Sequence, residues 1–266
     1  MIKNVLLDVD GVLIYGDKKI PGADKAVEFL EKNGYKYLVL TNVSRYTSVE
    51  LSKIFSGQGI KIPLEKIIGP VEATIGFIKS KKQNPNCFLI GSNKAKKEFR
   101  KVGVKVIGNE EKTDFVVVFL YKKTNYKMLD IAFRLLVGGA ELVTSSMSRH
   151  FPEKNGKTAM GTGPFVKALE FCSGKKAHVI GKPSNEFFET ALKKLGAKPE
   201  ETLMVGDTLE SDILGAKNTG IKAILVKTGN FSHSDLEKSV LKPDYVIESV
   251  ADLPALLEKE RRQNNV

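Results

Sequence analysis

The chain is poor in cysteine, and its two, Cys87 and Cys172, stand too far apart for a disulfide framework or a thiolate metal clip. Both read as buried apolar side chains. Proline is scarce as well, 10 in 266 residues, which with a hydrophobic fraction of 42% points to a packed chain rather than a disordered one. No apolar stretch reaches the roughly 18 residues that a membrane-spanning helix needs. Internal repeats and low-complexity segments are missing too. The opening Met1-Ile2-Lys3-Asn4-Val5 runs straight into an apolar strand, leaving no space for a secretory leader. The expectation is a reduced, cytoplasmic protein.

Positive charge is what the chain has in excess, with a formal net charge of +11. Such a balance suits either a nucleic-acid partner or an anionic substrate. The basic residues lie in amphipathic segments such as Lys94-Ala95-Lys96-Lys97-Glu98-Phe99-Arg100-Lys101, mostly interleaved with acidic ones, as on solvated helix faces. A small phosphorylated substrate suits this distribution without a dedicated nucleic-acid site. A basic nucleic-acid-binding protein with a vestigial site is the alternative.

Short apolar runs alternate with helical stretches, the pattern of buried strands in a parallel sheet. A strand at 4–7 leads to a helix over 23–33, stopped by Gly34. A strand at 37–40, a helix over 48–55 and a short strand at 67–69 follow. From residue 78 the pattern begins again, with strands at 87–90, 104–107, 115–120 and 141–143 and helices over 94–101, 125–137 and 164–171. This block can bury a core of its own and reads as an inserted domain. The remainder returns to the first layout: strands at 179–181, 203–205, 223–226 and 245–247, helices over 186–195 and 212–218, and a fraying helical end over 258–266. The expected domains are a core made of residues 1–77 and 180–266 and an α/β insert over 78–179.

Two acidic motifs follow strands of that core, Asp8-Val9-Asp10-Gly11-Val12 and Gly206-Asp207-Thr208-Leu209-Glu210-Ser211-Asp212. Carboxylates at the carboxyl ends of parallel strands face the crevice where open α/β sheets bind ligands. Asp8 and Asp10, two apart on extended chain, point to one side. An isolated Asp-x-Asp-Gly is equally an acidic turn. Asp207 and Asp212 add two more carboxylates, and like charges about 4 Å apart cost roughly 4 kcal/mol at an intermediate dielectric. A hard divalent cation such as Mg²⁺ would relieve that cost. Thr41 and Lys182 also follow strands. Alone, a Thr there is more often a helix cap and a Lys before Pro183 is usually solvated.

Taken in order, Asp8-Val9-Asp10-Gly11-Val12, Thr41-Asn42, Gly181-Lys182-Pro183 and Gly206-Asp207 through Asp212 resemble the four motifs of the haloacid dehalogenase superfamily. The match is to its phosphatases with a large α/β cap, the branch that includes p-nitrophenyl phosphatases and phosphoglycolate phosphatase. The resemblance implies a Rossmann-like parallel sheet core with an inserted cap domain. It implies Asp8 as nucleophile, forming an aspartyl-phosphate, and Asp10 as general acid and then base. Mg²⁺ would be held by Asp8, the carbonyl of Asp10, and Asp207. Thr41, the Asn42 amide and Lys182 would bind the transferring phosphoryl oxygens, and Asp212 would orient Lys182 or a metal-bound water. Candidate substrates are sugar phosphates, nucleotides and phosphoglycolate, and a homodimer through the cap is compatible. Two departures stand out. Val43 replaces an asparagine common in relatives, and the segment 144–151 lacks their Thr-Asn-Pro-Asp pattern, which leaves the leaving group open. Arg149 and His150 there could bind an anionic substituent or sit in a solvated loop. His178 and His233 carry no partner pattern.

Overall fold

The structure, a computed structural model, describes residues 1–263 apart from 17, 45, 109–111 and 153–156. The chain folds into two compact units, Met1–Thr41, Ser48–Ile68 and Lys182–Val266 forming one and Asn42–Thr47 and Gly69–Gly181 the other.

The first unit is built on six strands: β1 (Asn4–Leu7), β2 (Lys36–Leu40), β3 (Ile67–Ile68), β4 (Thr202–Gly206), β5 (Lys222–Val226) and β6 (Tyr245–Ile247). They lie in the order β6-β5-β4-β1-β2-β3, every pairing parallel. β1 and β4 are buried along their whole length, so helices must cover both faces, which is why the runs read as uninterrupted apolar stretches. One covering helix, Ala23–Lys32, buries Ala23, Ala26, Val27 and Leu30 at helical spacing.

The strand order reverses direction between β1 and β4. From β1 the chain moves outward through β2 and β3, and it later returns to β4 and moves the other way. Ligands of open α/β sheets sit in the crevice outside the carboxyl ends at such a point. Register sharpens the prediction: Leu7 lies opposite both Val205 and Val39. Asp8 is therefore level with Gly206 and Leu40, with Asp207 and Thr41 one residue further out.

The second unit has a five-stranded parallel sheet, ordered His178–Val179, Glu141–Thr144, Phe115–Val118, Asn86–Ile90, Lys105–Ile107. Alternate residues feed two cores. Cys87, Leu89, Phe115 and Val117 pack with Phe99 and Ile78 on one face. Phe88, Ile90, Val116 and Val118 pack with Leu136 and Val166 on the other.

Several expectations need correction. The strand foreseen at 179–181 is His178–Val179, and it pairs with Glu141–Thr144 in the second unit's sheet rather than joining the first. A short Val-Ile-Gly run satisfies either sheet, so its partner is settled by packing and not by periodicity. Cys172 is exposed, not buried; only Cys87 sits in a core, where burial pushes its thiol up to about 12. Pro70–Lys81 is helical, although its apolar residues spread beyond its buried face and blur the stripe; Pro70 at the first turn is its start signal. The helix expected over 212–218 is a π-helical turn, Leu209–Ile213, running into Leu214–Asn218. The final helix is Leu253–Gln263, and the end of the expected fraying tail, 264–266, lies outside the described residues.

Candidate active site

Asp8, at the end of β1, is buried, and its amide still donates to the Val205 carbonyl at 2.9 Å, so the strand pairing carries the carboxylate into the crevice before the chain turns. The turn is made at Gly11, with φ +84° and its amide bonded to the Ile14 carbonyl at 2.7 Å. Asp10, half-buried, lies within that turn, in a bridge to Ile14. Thr41 is fully buried after β2, its amide 3.3 Å from the Ile68 carbonyl. Asn42 begins the second unit, where a Cβ placed on Gly181 would fall 3.0 Å from its Cγ.

Lys182 does not follow a core strand, yet its ammonium reaches the same crevice. It is 3% exposed, with Nζ 2.5 Å from Asp8 Oδ1 and 2.6 Å from Asp212 Oδ1. Asp212 is fully buried, brought back toward Asp207 by the π-helical turn, a local irregularity that often marks functional sites. Its Oδ2 accepts the Thr208 amide at 3.2 Å. Carboxylate oxygens of Asp8, Asp207 and Asp212 lie within 4.8 Å of one another.

Three buried carboxylates around one ammonium leave excess negative charge. Burial, and then the Asp212 charge, push the Asp8 carboxyl well above the usual range, with Lys182 opposing. Burial and Asp212 likewise push Asp207 up to about 7, against hydrogen bonds from Asn230 and Thr208. For Lys182, burial disfavours the ammonium, but the charges of Asp212 and Asp8 outweigh it and hold the proton on nitrogen. Both shifts disfavour full ionisation of Asp8 and Asp207 when no cation is bound. A hard divalent cation would offset that charge, and an all-oxygen donor set fits one.

Three further residues brace the cluster, Thr208 from within the second acidic motif and Thr228 and Asn230 from outside every motif. Thr208 Oγ1 donates to Asp207 Oδ1 at 2.8 Å. Asn230 donates twice to Asp207 Oδ2, from its amide at 2.7 Å and its Nδ2 at 3.1 Å. Thr228 Oγ1 donates to the Gly11 carbonyl at 2.5 Å. Thr228 and Asn230 follow β5, so the logic of strand carboxyl ends that singles out Thr41 would have reached them. Arg149 and His150 are exposed in the second unit.

Comparison with known proteins gives the same picture from another direction. The haloacid dehalogenase-like hydrolase family model matches residues 5–105, and a related hydrolase-like model matches 179–253. The haloacid dehalogenase-like hydrolase domain-containing protein 2 of Bos taurus is 33% identical over 248 residues, 93% of each chain. The sugar-phosphatase AraL of Bacillus subtilis is 30% identical, over 96% of this chain and 93% of its own. Among solved structures, a p-nitrophenyl phosphatase from Archaeoglobus fulgidus superposes with a TM-score of 0.89 at 28% identity, covering 96% of this chain and 99% of that one.

Proposed function

This chain belongs to the haloacid dehalogenase-like hydrolases and hydrolyses phosphoric monoesters of small molecules, and we propose that it does so with Mg²⁺ and through a phosphoryl group carried on Asp8. The observation that supports this most is the buried triad of Asp8, Asp207 and Asp212 with one lysine among them. Asp8, Asp207 and the Asp10 carbonyl would hold the ion. When bound, it neutralises charge on the carboxylates and on the phosphoryl oxygens.

Asp8 must be ionised to attack, and the Lys182 ammonium at 2.5 Å favours that form. In the first step a bond forms between an Asp8 oxygen and phosphorus while the ester oxygen–phosphorus bond breaks. Asp10 gives its proton to the departing oxygen, a contribution typically worth about 10²–10⁴ in rate. In the second step Asp10 takes a proton from water, whose oxygen attacks phosphorus, and the Asp8–phosphorus bond breaks to release phosphate. The Thr41 hydroxyl, the Asn42 amide and Lys182 donate to the phosphoryl oxygens in both steps. Asp212 keeps Lys182 aimed at Asp8.

The natural substrate is then a small phosphorylated metabolite of the cytoplasm, with sugar phosphates the first class to screen, as the sugar-phosphatase relative suggests. Nucleotides and phosphoglycolate follow. The decisive assay is hydrolysis of p-nitrophenyl phosphate, which should require Mg²⁺ and stop on chelation. Turnover that survives complete metal removal would overturn the proposal.

A further inference from the structure

The turn after β5 lies outside the expected nucleophile and phosphate-binding set, yet it touches both loops that carry acidic groups. Thr228 Oγ1 bonds the Gly11 carbonyl, in the loop of Asp8 and Asp10. Two residues on, Asn230 grips Asp207 through backbone and side chain. Between them Gly229 has φ +74°, and a Cβ there would strike Asp207 Oδ2, with Gly11 Cα 2.5 Å away. A Cβ on Gly11 would in turn fall 2.7 Å from Asp207 Cγ and 2.9 Å from Gly229 Cα. Only glycine at both positions lets three loops converge this closely.

The hydrogen bonds divide the two oxygens of Asp207 unequally. An ionised carboxylate offers about four lone-pair directions, two per oxygen. Among the described residues, Oδ2 accepts two N–H donors, whereas Oδ1 accepts the Thr208 hydroxyl. Oδ1 is thus the oxygen with a direction left for a cation.

We propose that Asn230 is a positioning residue for the reaction: it saturates Asp207 Oδ2 and fixes the carboxylate so that Oδ1 faces the ion, while Thr228 ties the Gly11 turn to the same point. This rests on the Mg²⁺ reading above. Partners that orient a ligand from behind typically change metal affinity by about 10–100-fold when removed. Asn230→Ala deletes the Nδ2 bond and keeps the backbone one, so the lower end, about tenfold, is expected.

Calorimetric titration of the substrate-free protein with Mg²⁺ reads this directly. Asn230→Ala should raise the Mg²⁺ dissociation constant about tenfold and shift the half-saturating Mg²⁺ for p-nitrophenyl phosphate hydrolysis by the same factor, with a smaller change in the KM for the ester. Thr228→Val should weaken Mg²⁺ binding, and Thr228→Ser should restore it, a second arm that holds if Asn230→Ala fails to fold. An Asn230→Ala dissociation constant within twofold of the parent overturns the proposal. So does an equal shift in Mg²⁺ and ester constants together with a matching drop in metal-free melting temperature, the mark of general loosening. If the parent itself binds no Mg²⁺, the metal reading falls and takes this inference with it.

Discussion

Lys182 is the only cation shown within ion-pair distance of Asp8 and Asp212 among the described residues, and its replacement by methionine is the most direct test of how the site is balanced. Methionine keeps much of the length and removes the charge. At separations of 2.5 and 2.6 Å each contact is worth about 6 kcal/mol at an effective dielectric of 20. Most of that is offset by the desolvation of three buried ions. Removing one partner of a buried pair leaves the other charges uncompensated, at about 3–5 kcal/mol. For a chain of this size each kcal/mol moves the melting temperature by about 2–4 °C, so Lys182→Met should melt about 6–20 °C lower in chelator at pH 8. The deficit must depend on pH. Without the ammonium, the folded-state carboxyls rise further above their unfolded values. A raised carboxyl contributes stability that is present at low pH and lost as pH rises through the folded value. The gap from the parent should therefore shrink toward pH 5 and widen toward pH 8. Scanning calorimetry in chelator at both values reads it. A loss at pH 8 below about 1 kcal/mol, or an equal loss at both pH values, would refute this account of the charge balance.

Two other outcomes follow from the same geometry. Asp8→Asn removes the attacking oxygen's charge and should lower turnover by at least about 10⁴-fold while retaining affinity for phosphate analogues; turnover within tenfold of the parent excludes Asp8 as nucleophile. Asp207, pushed from 3.8 to about 7, corresponds to about 4 kcal/mol of disfavoured ionisation, so metal-free stability should fall as pH rises through about 7. Asp207→Asn should flatten that fall, and Mg²⁺ at a hundredfold its pH 8 dissociation constant should add about 2.7 kcal/mol to the parent at pH 8, and less at the same concentration at pH 5.5. A melting profile in chelator that is as steep in Asp207→Asn as in the parent would show that another group carries the titration.

Much of the first unit is legible because its strands obey a one-dimensional rule. Runs such as Asn4–Leu7 and Thr202–Gly206 are buried on both faces and need no partner information to be recognised. Asp8, Thr41 and Asp207 then fall in the crevice because each directly follows a strand. Lys182 is a different case. Its motif marks it, but the strand before it, His178–Val179, pairs in the other unit's sheet, so strand-end reasoning does not account for its place beside Asp8 and Asp212. Thr228 and Asn230 follow β5 and so stand at a strand's carboxyl end, but the bonds they make span 217 and 23 residues, and no local pattern encodes contacts of that separation. The helix Pro70–Lys81 escapes for a different reason: its buried face, Pro70, Val71, Thr74 and Ile78, includes a polar threonine, while the apolar Ala73, Ile75 and Phe77 lie only partly buried beside it, which blurs the amphipathic stripe.

Lys182 offsets charge that the fold need not have buried, as the energetics of its surroundings indicate. Buried ion pairs rarely stabilise more than apolar side chains of similar volume would. Here three carboxylates share one ammonium, an imbalance that a purely structural cluster would shed by exchanging one Asp for a neutral residue. Instead the surrounding backbone is arranged to keep all three: a glycine at φ +84° and another at φ +74° make room for Asp207, a π-helical turn brings Asp212 inward, and two N–H donors from Asn230 hold Asp207 despite its raised pKa. Each device favours an arrangement that is electrostatically unfavourable in the empty protein and favourable once positive charge arrives. On the proposed reading, a site built this way would bind an ion and a phosphoryl group with energy that the fold itself has left unspent.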